Sequence, residues 1–166
     1  MSAPPATGTR WSKPPALTTV SFAQGRRRTS HRSKKAAWRH KSFDDGTWQG
    51  EVRAEFRPAS GQVIAHERCC SSGFANADPD QQFKVPGIHR LLIIGVIANT
   101  CIKATAHSGG ELGHDVTLVR DATASYLADE MHAGLNINLP NYANAIVTTT
   151  EIIEAISSAS AGSSES

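Results

Sequence analysis

With 166 residues and a formal net charge of +2, the chain can hold one domain with a hydrophobic core, at the small end for a doubly wound sheet. No apolar run reaches the roughly 20 residues that span a bilayer, and the N-terminus lacks the apolar stretch of a secretory signal, so a soluble protein with no membrane partner is expected. Three cysteines are present, and Cys69 and Cys70 are adjacent, where geometry disfavours their pairing; with Cys101 they suggest a reduced, cytoplasmic setting.

The net charge conceals a split. Residues 1–43 carry ten Lys or Arg and no acid, whereas residues 44–166 carry seven Lys or Arg and all fifteen acids. Residues 1–37 combine Pro4, Pro5, Pro14 and Pro15 with Ser, Thr and Arg26-Arg27-Arg28, and read as a basic, disordered segment in which only Ala16 to Ala23 could make a short strand. An organellar leader or a nucleic-acid arm are its functional alternatives; a basic run of this kind is more often a solvated tail, and nucleic acid is not the expected partner.

From Trp38 the texture changes. Asp44-Asp45-Gly46 and Gln49-Gly50 mark a structured loop carrying Trp38 and Trp48, tryptophans that fill a satellite core or wall a pocket. Pro58 to Gly61 is a turn and Gln62 to His66 a short strand. Asp78 or Asn76 is positioned to cap a short helix running to Lys84, with Pro79 in its first turn and Pro86-Gly87 ending it. The apolar run from Leu91 to Ala98 predicts a strand buried on both faces, followed by a helix from Asn99 or Thr100, both good N-caps, to about Leu112 and Gly113. Cys101 then falls in the first helical turn, where the N-terminal N–H groups and the helix dipole favour a thiolate; the alternative is a small buried core residue.

Beyond it, Asp115 to Arg120 reads as a strand, Asp121 to Ser125 as a turn, Tyr126 to Leu135 as a helix, and Ala145 to Thr148 as a last strand. Thr150 would cap a helix Glu151 to Ile156, and residues 158–166 read as a flexible tail. Strands separated by helices of about ten residues imply parallel pairing with right-handed crossovers, an α/β fold with its site at the carboxyl ends of the strands. His66, His89, His107, His114 and His132 lack the spacing of a zinc site, and His107 and His114 read as surface residues. Ser108 to Glu111 does not follow a strand as a phosphate loop would. No metal and no cofactor are expected.

The stretch Gly95-Val-Ile-Ala-Asn-Thr-Cys101-Ile-Lys-Ala-Thr-Ala106, followed by Glu111-Leu-Gly-His-Asp-Val-Thr-Leu-Val-Arg-Asp-Ala-Thr-Ala-Ser125, resembles the nucleophile motif of isochorismatase-like cysteine hydrolases. The resemblance extends back through Gly46 to Glu51 and Ser71 to Asn76, and forward through Asn138 to Thr149, so that residues 38–157 form the hydrolase domain. It implies a three-layer α/β sandwich with a mostly parallel sheet and a small-molecule substrate cleaved at an amide-like C–N bond through a Cys acyl-enzyme; a homo-oligomer is expected as a cover for the edges that a missing central strand would leave, unless residues 16–23 pair there. In that scheme Cys101 is the nucleophile, the N–H groups of Ile97 and Cys101 form the oxyanion hole, the Val96–Ile97 peptide is cis, and Phe74 and Trp48 wall the pocket. Arg68 stands at the family's Lys position, as a permanent cation.

The same resemblance locates departures. No acid precedes Asp44, so the family's Asp, at the end of its first strand, has no counterpart, and the first strand is expected to be lacking or replaced. Ser108-Gly109-Gly110 stands where a helix former is expected, and two glycines cost a helix about 1 kcal/mol each. The alternative function is therefore a catalytically inactive member serving as a binding or assembly module, or a truncated, frame-shifted product with an unrelated N-terminus.

Overall fold

The computed structural model of the chain describes residues 22–24, 47–48, 51, 54–56, 65–68, 71–75 and 78–161. The remainder of the basic segment, most of the loop from Trp38 to Glu51, the turn at 58–61, the Cys69-Cys70 pair and the last five residues lie outside them. Two strands, β1 (Phe22–Gln24) and β2 (Ala65–Arg68), pair in parallel with Phe22 opposite Ala65 and Gln24 opposite Arg68. A piece of the segment expected to be disordered thus joins a sheet.

The larger sheet holds β3 (Arg90–Val96), β4 (Asp115–Ala124) and β5 (Ala145–Val147) in that order, every pair parallel. Parallel neighbours need a crossover. Helix α2 (Lys103–Glu111) supplies the first, preceded by a π-helical turn over Ala98–Ile102; the second runs through α3 (Ala128–His132), a π-helical stretch Ala133–Asn138 and a 3-10 turn Leu139–Asn141. Helix α1 (Pro79–Lys84) precedes β3, and α4 (Thr149–Ala161) follows β5 and packs on β4. The architecture is α/β with a parallel sheet.

Burial on both faces belongs to β4 rather than to β3. Successive strand side chains point to opposite faces, and Val116, Thr117, Leu118 and Val119 are all buried. Val116 and Leu118 join Ile93, Ile102, Ala106, Leu135 and Leu139 in one core. On β3, by contrast, Leu91 and Ile93 meet that core while Ile94 and Val96, on the opposite face, remain 55% and 65% exposed.

Strand β4 continues through the expected turn at Asp121 to Ser125 by means of a bulge. Ile93 faces Leu118 but Gly95 faces Thr123, so the chain between Leu118 and Thr123 leaves β3, and the Thr123 hydroxyl closes the bulge on the Val119 carbonyl at 2.8 Å. The detour brings the Asp121 carboxylate to the start of α4, where it accepts from the Thr149 amide at 2.8 Å and hydroxyl at 2.9 Å. Thr148, not Thr150, caps that helix: Glu151 N–H donates to its hydroxyl, and Glu151 Oε2 accepts from its amide at 2.6 Å, a reciprocal capping box. At the other end α4 runs past Ile156 to Ala161, into the stretch expected as a tail; helix-compatible Ala and Ser continue it, with Ser158 bonding the Glu154 carbonyl.

Ser108, Gly109 and Gly110 interrupt the helical pattern of α2 for a tertiary reason. The Ser108 hydroxyl meets that of Ser72 at 2.8 Å; a Cβ at Gly109 would lie 3.3 Å from the Phe74 ring and from Val116, and one at Gly110 would lie 3.2 Å from the Tyr142 carbonyl. The helix closes at Gly113, φ +87°, with His114 N–H bonded to the Gly109 carbonyl and Gly113 N–H to that of Gly110. His114 is not a surface residue. Its side chain is fully buried, stacked on Phe74 and edge-on to Phe83, with Nε2 3.0 Å from Asp80 Oδ1. The Lys84 ammonium first, and His114 with it, hold the Asp80 carboxyl below the usual carboxylate range.

Two predictions concern this framework. Thr148→Ala removes the hydroxyl of the cap and is expected to lower stability by about 1 kcal/mol in urea unfolding. Against partial desolvation, the Thr149 bonds hold Asp121 below its ordinary 3.8, and the Thr148 amide and hydroxyl hold Glu151 below its ordinary 4.5. Both carboxylates therefore support folding at neutral pH, and their support is lost as the pH falls below those values. Urea midpoints at pH 7 and pH 3.5 should differ less in Asp121→Asn than in the parent chain.

Candidate active site

Cys101 follows the carboxyl end of β3 by five residues, at the end of the sheet where Val96 pairs with Ala124. It sits inside the π-helical turn rather than in the first turn of an α-helix. Ile97, extended at φ −106° and ψ 135°, occupies the position before that turn, and its carbonyl accepts from both Thr100 N–H at 3.2 Å and Ile102 N–H at 3.1 Å. The peptide between Val96 and Ile97 is cis, where the resemblance put it. Asn99 and Thr100 do not cap a helix. The Asn99 side-chain oxygen accepts from the Ser125 hydroxyl at 3.4 Å, and the Thr100 hydroxyl donates to the Cys101 sulfur at 3.8 Å. Cys101 is a free, half-buried cysteine.

The backbone of the turn is gripped from two sides. On one, a Cβ at Gly134 would lie 3.1 Å from the Ala98 carbonyl carbon and Cβ and 3.2 Å from the Asn99 nitrogen, so the crossover after α3 rests directly on the chain that presents Cys101. On the other, the Thr105 hydroxyl donates to the Cys101 carbonyl at 2.7 Å and accepts from the buried Gly73 amide at 2.9 Å. Thr105 was not singled out by sequence. The signal was available: Thr105 and Ser108 are three residues apart on one stripe of α2, and Thr105 stands four residues after Cys101.

Phe74 packs in a cluster with Phe83 and His114 over Gly109. Trp48 is 87% exposed on the surface. Arg68 ends β2, in register with Gln24, and its side chain lies outside the described residues. Among the described residues, no three His, Cys, Asp or Glu side chains converge in a way that could hold a metal ion, and no helix is long and apolar enough to cross a membrane.

A free thiol on the turn that follows the carboxyl end of a parallel strand is an arrangement suited to nucleophilic attack on a carbonyl. Known proteins agree in kind. An isochorismatase-like hydrolase from Alkaliphilus metalliredigens superposes with a TM-score of 0.67 at 26% identity, covering 82% of this chain and 69% of its own. A cysteine hydrolase from Pseudomonas syringae pv. phaseolicola shares the fold, with a TM-score of 0.74 at 21% identity over 86% of this chain and 73% of its own. A ureidoacrylate amidohydrolase, RutB, from Caulobacter segnis is 26% identical over 106 residues, 64% of this chain but 44% of its own length, so the chain spans less than half of that relative. Residues 10–152 match the isochorismatase domain as a family, a match that starts well before residue 38 and takes in part of the basic segment. The chain belongs to the isochorismatase family.

Proposed function

We propose that this chain is a hydrolase of an amide-like C–N bond in a small molecule, acting through Cys101. The observation that carries the reading is the placement of a free thiol on the turn after β3, with the neighbouring backbone fixed by Gly134 and Thr105. The sulfur, once it has given up its proton, adds to the substrate carbonyl. The developing oxyanion accepts hydrogen bonds from the Ile97 and Cys101 amides, the C–N bond breaks as the nitrogen takes up a proton, and water then releases the acid from the thioester and restores the thiol. Arg68, as a permanent cation at the end of β2, offers charge support for an anion. The similarity to a ureidoacrylate amidohydrolase supports a ureido or carboxamide group in the substrate.

A second reading, a family member that binds such molecules without cleaving them, is favoured by one specific observation. No acid stands before Asp44 to take the thiol proton. Alkylation separates the two. For a hydrolase, iodoacetamide at neutral pH should modify Cys101 at least tenfold faster than Cys69 or Cys70, with peptide mass spectrometry as the readout, and Cys101→Ser should abolish release of ammonia from ureidoacrylate and simple carboxamides. Equal rates at the three cysteines, with no turnover, would leave the binding reading standing.

A further inference from the structure

We propose that Thr105 is a positioning residue for Cys101, a hydroxyl that fixes the turn bearing the thiol against the segment leaving β2. The inference rests on the reading of Cys101 as nucleophile. A threonine bonding back to a carbonyl four residues earlier is common in helices and by itself means little. Here the same oxygen is used a second time. It donates to the Cys101 carbonyl at 2.7 Å and accepts from Gly73 N–H at 2.9 Å, a residue 32 positions away in sequence and buried.

Two further contacts dock the segment along α2: Ser72 Oγ lies 2.8 Å from Ser108 Oγ, and the Phe74 ring fills the space left by Gly109, while within the segment the Phe74 amide donates to Ser72 Oγ at 3.2 Å. Of the contacts between this segment and the helix, that of Thr105 is the one that also reaches the turn carrying the thiol. Gly73 stands five residues after Arg68, the last residue of β2. The hydroxyl therefore sets the separation between the turn at 71–75 and the cysteine turn. A hydroxyl serves as donor and acceptor through one oxygen, which an alkyl group cannot do.

The test compares Thr105→Val, which keeps the shape and loses both bonds, with Thr105→Ser, which keeps both, and with Ser108→Ala, which removes only the contact to Ser72. In the full-length chain, below each variant's melting transition, Thr105→Val should change the rate of Cys101 alkylation by iodoacetamide about tenfold and speed hydrogen exchange at the Gly73 amide at least tenfold. Thr105→Ser should stay within twofold on both. Ser108→Ala should lower the melting temperature while leaving Cys101 alkylation within twofold. Unchanged alkylation in Thr105→Val, or an equal change in Ser108→Ala, would overturn the proposal and reduce Thr105 to ordinary packing. If Thr105→Val does not fold, loss of the Cys101 rate in Thr105→Ser would also count against it. Failure of the nucleophile reading shows separately, as a parent chain whose Cys101 reacts no faster than Cys69 and Cys70.

Discussion

The cysteine turn exists because another stretch of backbone lies against it. At Gly134 the chain comes so close to Ala98 and Asn99 that a single added carbon would meet backbone at 3.1–3.2 Å. A side chain at the far end of a flexible stem could move aside; peptide atoms on both surfaces cannot. With that approach fixed, Leu135 and Leu139 enter the core beside Ile102 and Ala106, and the turn over Ala98–Ile102 is held between the sheet and the crossover. Burial of each such Leu or Ile side chain stabilises by about 1.5–3 kcal/mol, so local geometry and global packing support the same arrangement.

Helix α2 divides its surface between two tasks. Ile102 and Ala106 face the sheet and are buried with Val116 and Leu118. The stripe through Thr105, Ser108 and Gly109 receives the turn at 71–75, by hydroxyl contacts at two positions and by vacant space at the third. Intrinsic helix propensity is given up along that stripe. Gly109 and Gly110 disfavour a helix by about 1 kcal/mol each, and the docked Phe74 ring and the close Tyr142 carbonyl are what the helix holds in exchange. Phe74 in turn stacks on His114, whose buried ring bonds Asp80, so α1 is joined to the same side of the molecule.

The chain belongs to the isochorismatase family, and the proposed thiol chemistry rests on the placement of Cys101 on the turn after β3. At the cysteine itself, the Thr100 hydroxyl donates to the sulfur and the Thr105 hydroxyl to the backbone carbonyl.

Much of the fold was legible because it follows from local rules. The apolar runs at Leu91 and Val116 with helical stretches between them imply parallel pairing, and Gly113 ends α2, whereas the cis peptide between Val96 and Ile97 was implied only by the resemblance of Gly95 to Ala106 to the family motif. The errors arose wherever a distant residue decided the outcome. Asn99 and Thr100 have the chemistry of caps but face Ser125 and the sulfur; Asp121 looks like a turn residue but bonds an amide 28 positions away; His114 looks like a surface residue but is enclosed by Phe74 and Phe83. By itself the sequence determined the alternation of strands and helices and the position of the thiol, since both depend on periodicity and on residues within one or two turns. Which hydroxyls grip the cysteine turn, and which glycines admit another chain, depended on surfaces separated by tens of residues, and only their packing in three dimensions could decide it.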